Sequence, residues 1–302
     1  MKTPFKSLAA EQNFLGIEKE FSTFDSSKIV IVQAPYEHSK ARSSGTKEAP
    51  EAILRASHNL ELFDEETKRE IHREHGIATL PPLSFAKQGD ESALQQVHET
   101  ALRLIDLNKF IVTLGGEHTL SSALIAAFAK KYNNLSVLQF DAHSNLLDRH
   151  PGEQYNNASV MARVCEFLDP SKIVQVGIRS QSKEEAETVR DRNINVFYAH
   201  EIRSGAHTRL LKYWDDAVAE HLTESVYITF DVDAFDPSVM PATHSPEPGG
   251  LFWGEVIRCL KKVSQKHRIV GFDIVELAPM KDIPHPDITT AKLVSKILNY
   301  AL

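Results

Sequence analysis

Apolar residues along this chain come in two rhythms that alternate from end to end. Short unbroken runs rich in Val, Ile, Leu and Phe occupy 28–33, 110–114, 135–140, 173–176, 194–198, 225–230 and 269–274, with a weaker run near 71–77. A run that is apolar at nearly every position marks a strand buried on both faces. Between these runs, apolar residues return every three or four positions at 50–62, 91–107, 120–132, 159–167, 183–192, 208–222, 254–265 and 287–300. That period lays them along one stripe of a helix. Alternation of the two predicts an α/β fold with a parallel sheet of about eight strands between helices. The pattern fits an open three-layer sheet and a closed barrel equally, and both carry their active sites at the carboxyl ends of the strands. No internal repeat or low-complexity segment interrupts it, so 1–302 is expected to form one domain.

Two long polar loops break the rhythm, 141–157 and 231–251, each directly after a strand-like run. Loops of that length in a compact fold are usually functional. The second opens with Asp231-Val-Asp233, two carboxylates spaced i, i+2 that point the same way from an extended chain. The first opens with Asp141-Ala-His143, and a third strand-like run leads into Gly115-Gly-Glu-His118. Three strand ends thus deliver Asp and His side chains to one edge of the predicted sheet. Carboxylate and imidazole donors without thiolate suit Mn²⁺ and similar ions better than structural zinc. Two such ions sharing carboxylates can hold a hydroxide fit to attack an unreactive carbon.

Composition narrows the setting. With 42% hydrophobic and 25% charged residues, the chain reads as an ordinary globular protein. Its net charge of -7 argues against a nucleic-acid partner. No apolar run approaches the roughly 20 residues of a membrane span, and the first 12 residues lack the apolar core of a signal peptide. Cys165 and Cys259 fall in apolar helical patterns and are expected to be plain core thiols in a reducing cytoplasm.

The motifs in this order resemble the ureohydrolase superfamily of arginase, agmatinase, formimidoylglutamase and guanidinobutyrase types. The resemblance runs from about Ile29 to the last helix. It is carried by Gly115-Gly-Glu-His-Thr119, Gln139-Phe-Asp-Ala-His-Ser144, Thr229-Phe-Asp-Val-Asp233 with Asp236-Pro237, Ser245-Pro-Glu-Pro-Gly-Gly250 and Gly271-Phe-Asp-Ile-Val-Glu-Leu-Ala-Pro279. Ala34-Pro-Tyr-Glu37 and Pro50-Glu-Ala-Ile53 look agmatinase-like. The resemblance implies an arginase-like three-layer αβα fold, a trimer or hexamer of identical chains, and hydrolysis of a small cationic guanidino compound to urea and an amine. It also implies that His118, Asp141 and Asp231 belong to one ion. Asp141, His143, Asp231 and Asp233 would belong to a second, and Glu276 would hold the guanidinium as a bidentate pair.

Several positions depart from that pattern. Asn145 stands where the family motif has a metal-ligating Asp, so it offers an amide oxygen without charge. One secure Mn²⁺ site and one weakened site follow. Asn157 aligns with the family's proton-shuttling His, and an amide cannot transfer a proton at neutral pH. His244 and His38 replace glycines in loops at the mouth of the site, and His244 is a candidate substitute for the shuttle. His150 is a candidate replacement ligand beside Asn145. The alternative to an active amidinohydrolase is a catalytically degenerate homologue with a binding or regulatory role.

Overall fold

The strand-like runs form a single sheet in which every pairing is parallel. The computed structural model describes residues 5–38, 45–85, 88–148, 155–204 and 213–302. The strands are β1 (Ile29–Ala34), β2 (Ile77–Thr79), β3 (Phe110–Gly115), β4 (Leu135–Phe140), β5 (Ile173–Ile178), β6 (Asn195–Tyr198), β7 (Ser225–Asp231) and β8 (Arg268–Val275). They lie in the order β2-β1-β3-β8-β7-β4-β5-β6, an open sheet with β2 and β6 at its edges, which excludes the barrel. The weak run near 71–77 divides: Ile71–His75 is a short helix, and the strand starts only at Ile77. Gly76 makes the break, with φ +62; a Cβ there would lie 2.8 Å from the Ser26 carbonyl.

Every strand but β2 feeds two cores. Ile29 and Ile31 enter one apolar cluster while Val30, Val32 and Ala34 enter the other. Likewise Val226, Ile228 and Phe230 face one side of β7, and Tyr227 the opposite side. This two-sided burial is why the strands read as continuous apolar runs rather than alternating ones. Ile53, Val263 and Ile297, from helices Ala49–Ser57, Trp253–Lys266 and His285–Ala301, close the first core. Val97 and Phe128, from Asp90–Asp106 and Ser121–Lys131, close the second. Each fully buried Leu, Ile or Phe contributes about 1.5–3 kcal/mol relative to exposure. Cys259 is buried and Cys165 half-buried, both unbridged. Burial pushes the Cys165 thiol up to about 11, which makes it a poor nucleophile. No described helix is long and apolar enough to cross a membrane.

Topology and register together place the chemistry. β3 and β4 follow one another in the chain, but β8 and β7 lie between them in the sheet. Such a switch in strand order opens a crevice beyond the carboxyl ends. Register then sets neighbours within it. Phe140 pairs with Phe230, so Asp141 and Asp231 emerge side by side. Asp231 pairs with Val275, so Glu276 follows one residue on.

The turn that leaves β3 tolerates no side chain at Gly116, where a Cβ would stand 2.0 Å from the Tyr36 carbonyl oxygen. Gly116→Ala is expected to cost at least about 1–3 kcal/mol, because backbone must move to admit the methyl. Denaturant midpoints read this; an unchanged midpoint would contradict the close approach.

Candidate metal centre

His118 begins a single 3₁₀ turn after β3 and is fully buried. Its backbone N–H donates to Glu276 Oε1 at 2.7 Å. On the ring, Nε2 lies 2.9 Å from Thr229 Oγ1, whose hydroxyl donates to Asp273 Oδ1 at 2.8 Å. Thr229 therefore accepts from Nε2–H, and Nδ1 is the nitrogen that faces Asp141 Oδ2 at 3.1 Å and Asp231 Oδ2 at 3.4 Å. Fixing one ring nitrogen by a hydrogen bond presents the other to a ligand. Asp273, itself buried, also accepts from Ser121 Oγ at 3.0 Å and Tyr227 Oη at 2.8 Å.

The loop after β4 brings His143 to Asp233, with Nδ1 2.9 Å from Oδ2. Main-chain donors aim the carboxylates: His143 N–H to Asp141 Oδ1, Ala142 N–H to Asp233 Oδ1, and Asp233 N–H to Asp231 Oδ1, at 2.7–2.9 Å. Two groups result, His118/Asp141/Asp231 and Asp141/His143/Asp233, each with ligand atoms within 4.8 Å of one another. Asp141 is common to both. Asp231 sits in the first group only, although the family resemblance shares it between two ions.

Burial first, and then the crowding of like charges, sets the electrostatics. Burial and the carboxylates of Asp233 and Asp141 push Asp231 well above the usual carboxylate range. Burial works against protonated His143, but Asp141 and Asp233 outweigh it and hold the imidazole up at about 11. Glu276 is pushed up to about 8, by burial first, with the His118 N–H opposing and the charge of Glu117 adding. Its backbone is left-handed, φ +64, and its Oε2 is buried without a hydrogen-bond partner among the described residues. Glu276, at the edge of two groups of metal-type donors, is thus a cation-seeking carboxylate with one oxygen unserved.

The chain matches the Arginase family over residues 27–302. It belongs to the arginase family. The N(1)-aminopropylagmatine ureohydrolase of Synechocystis sp. is 32% identical over 305 residues, spanning 99% of this chain and 97% of that protein. The agmatinase of Bacillus cereus is 29% identical, over 93% of this chain and 94% of that one. Among solved structures, the agmatine ureohydrolase of Thermoplasma volcanium superposes with a TM-score of 0.82 at 26% identity, covering 99% of this chain and 95% of that one.

This arginase-family chain places its departures as follows. Asn145 is buried with φ +53, and its Nδ2 stands 2.7 Å from Asp141 Oδ2 and 3.3 Å from His118 Nδ1, at the edge of the first group. Asn157 Oδ1 is engaged by Thr119, accepting from its backbone N–H at 3.1 Å and its hydroxyl at 2.8 Å. His244 is half-buried, one residue beyond the bridge that pairs Thr243 with Leu277 beside Glu276. His38 Nδ1 lies 2.7 Å from Asp90 Oδ1, which also accepts from Tyr36 Oη at 2.7 Å. His150 lies outside the described residues.

Sequence reasoning missed Arg179. Its guanidinium donates to the carbonyls of Asp233 and Glu247, each at 2.7 Å, and reaches those of Gly177 and Pro248. It thereby ties both ends of the 233–248 stretch to β5. A lone Arg after a strand carries no local signal of that role. The Thr229–Asp273 pair was also missed, though both residues lie inside quoted motifs; only the β7–β8 register shows them opposite each other.

Thr229→Val is expected to cost about 1–3 kcal/mol, because His118 Nε2 and Asp273 each lose a buried partner. Chemical denaturation of ion-free protein measures it. Thr229→Ser, which keeps the hydroxyl, should recover most of the loss.

Proposed function

We propose that this chain is a metal-dependent amidinohydrolase of the agmatinase type, which hydrolyses a small cationic guanidino compound to urea and an amine. One juxtaposition carries the reading: two groups of Asp and His donors beside Glu276, whose buried Oε2 has no hydrogen-bond partner among the described residues. The similarity to proteins named agmatinase and N(1)-aminopropylagmatine ureohydrolase supports it.

The donor set fits divalent ions of the Mn²⁺ kind, being oxygen and imidazole with no thiolate. Asp141, His143, Asp231 and Asp233 would hold the tighter ion. His118, Asp141, Asp231 and Asn145 would hold the weaker, because an amide replaces a carboxylate. Ions held there would supply water acidified toward neutral pH. Glu276 accepts the guanidinium N–H groups and orients its carbon toward the cluster. Departure of the amine then needs a proton. Asn157 cannot provide it, so we assign that role to His244, beside the Thr243–Leu277 bridge. The same reading makes the protein a cytoplasmic homo-oligomer, trimeric or hexameric. The degenerate alternative draws on Asn145 and on the engagement of Asn157 by Thr119.

Urea release from a panel of guanidino compounds after Mn²⁺ loading tests the reaction. Glu276→Gln is expected to lower kcat/KM by roughly 30- to 150-fold, the worth of about 2–3 kcal/mol in a charged hydrogen bond. His244→Ala should lower kcat roughly 10²-fold with KM little changed. Ion binding without urea from any compound would decide for the degenerate reading.

Ion uptake should depend on pH with a definite sign. His143 is held protonated up to about 11 by its two carboxylates, so ligation must expel a proton at neutral pH. Apparent affinity is therefore expected to rise with pH between about 6 and 9, by about tenfold per unit for each proton released. Calorimetry in buffers of different ionisation enthalpy counts the protons. Affinity independent of pH would remove His143 from the ligands.

A further inference from the structure

Three histidines are buried among the described residues: His72, His98 and His118. In two of them both ring nitrogens meet a partner. His98 Nδ1 lies 3.0 Å from the Ala123 carbonyl and Nε2 2.9 Å from Lys130 Nζ, while His118 has Thr229 on one side and Asp141 on the other. His72 differs. It is 0% exposed, and neither Nδ1 nor Nε2 has a hydrogen-bond partner among the described residues. The Phe21 ring meets it at 89°, with centroids 5.7 Å apart.

This residue sits where the edge of the sheet is held. Its helix, Ile71–His75, runs directly into β2, the edge strand. The join is tied to the chain entering β1 by Lys28 N–H to the His75 carbonyl at 2.6 Å. The N-terminal segment covers the outer side of β2. Asn13 acts there as a neighbouring strand would: Nδ2 donates to the Ile77 carbonyl at 2.9 Å and Oδ1 accepts from Thr79 N–H at 2.8 Å. Such cover keeps an edge from pairing with other chains. Helix Lys19–Ser22, which carries Phe21, packs on both Ile71–His75 and β2, so it joins the cover to His72.

A neutral imidazole carries one N–H, and its protonated form two N–H groups and a charge. Nothing around His72 serves either form. Burial holds the imidazole below its ordinary range; the charge of Glu70 opposes this, that of Arg73 adds to it and that of Glu18 opposes it. Lys19 and Glu20 on the facing helix are exposed, and β2 brings no charged side chain. His75, one turn on, is likewise held down, by burial and then by Lys28 and Arg69 against Glu74.

We propose that His72 is an acid-sensitive latch on this edge of the sheet. Neutral, it stays packed against Phe21 and keeps the cover closed. Protonated, it draws helix Ile71–His75 into water and uncovers β2, while the central strands stay folded. The opened imidazole takes its proton near pH 6.5, and the closed one only at lower pH. Closure therefore has its full strength above about pH 6.5. It weakens by about tenfold per unit as pH falls from there toward the closed-state value. The inference does not rest on the hydrolase reading.

Hydrogen exchange of the full-length protein tests it, read by mass spectrometry on peptides from residues 8–27 and 69–80 and corrected for intrinsic rates. Between about pH 7.5 and about pH 5.0, their protection is expected to fall at least about tenfold further than that of helix His285–Ala301. His72→Leu, apolar and without a titratable group, should retain at least about tenfold more of that protection at the lower pH. A wild-type NMR titration of the His72 ring, its signal assigned with His72→Gln, should give a value below about 6.5 whether or not the Leu variant folds. Equal acid loss in wild type and His72→Leu would overturn the proposal. So would a His72 that titrates at its ordinary value or above, or protection lost evenly over the whole molecule.

Discussion

Asp141, Asp231, Asp233 and Glu276 are each at most 4% exposed and share one crevice, and their mutual repulsion is the constraint on which the surroundings are built. Carboxylates taken out of water need donors or cations. Main-chain N–H groups meet part of the need: those of Ala142, His143, Asp233 and His118 each serve one acidic oxygen. Imidazoles from His118 and His143 meet more. What remains unmet, above all at Glu276 Oε2, is the demand for further positive charge. The site's chemistry follows from that deficit.

A rigid frame is what lets the charges stay so close. The central strands, buried on both faces, cannot shift register without disrupting both cores, so the ends of β3, β8, β7 and β4 hold their spacing. The three-centre contact among His118, Thr229 and Asp273 extends the frame inward from the site. Arg179 does the same for the loop on the other side, substituting one guanidinium for the ladder bonds that an irregular segment lacks. Long loops carry the reactive groups, but rigid elements fix them.

The two halves of the centre are not equal. The group around His143 joins Asp141 and Asp233, whereas the group around His118, with Asp141 and Asp231, also has an uncharged amide, Asn145, at its edge. Asn157, beside that same half, is tied to Thr119. Both are uncharged amides held by hydrogen bonds within the frame.

Much of this was legible in the chain. Continuous apolar runs named most of the strands, because two-sided burial leaves no polar face, and the motifs at their ends named the Asp and His residues of the two donor groups. The run near 71–77 misled because Gly76 divides it between a helix and a strand. Local pattern could not choose open sheet over barrel, since strand order depends on which distant segments pair. Nor could it find Arg179 or the Thr229–Asp273 link: their partners come from residues remote in sequence. Sequence by itself determined which residues have the chemistry, because side-chain type and strand-end position are local. Only tertiary structure decided which buried charges are satisfied and which are not, because satisfaction depends on what the fold brings within hydrogen-bond reach.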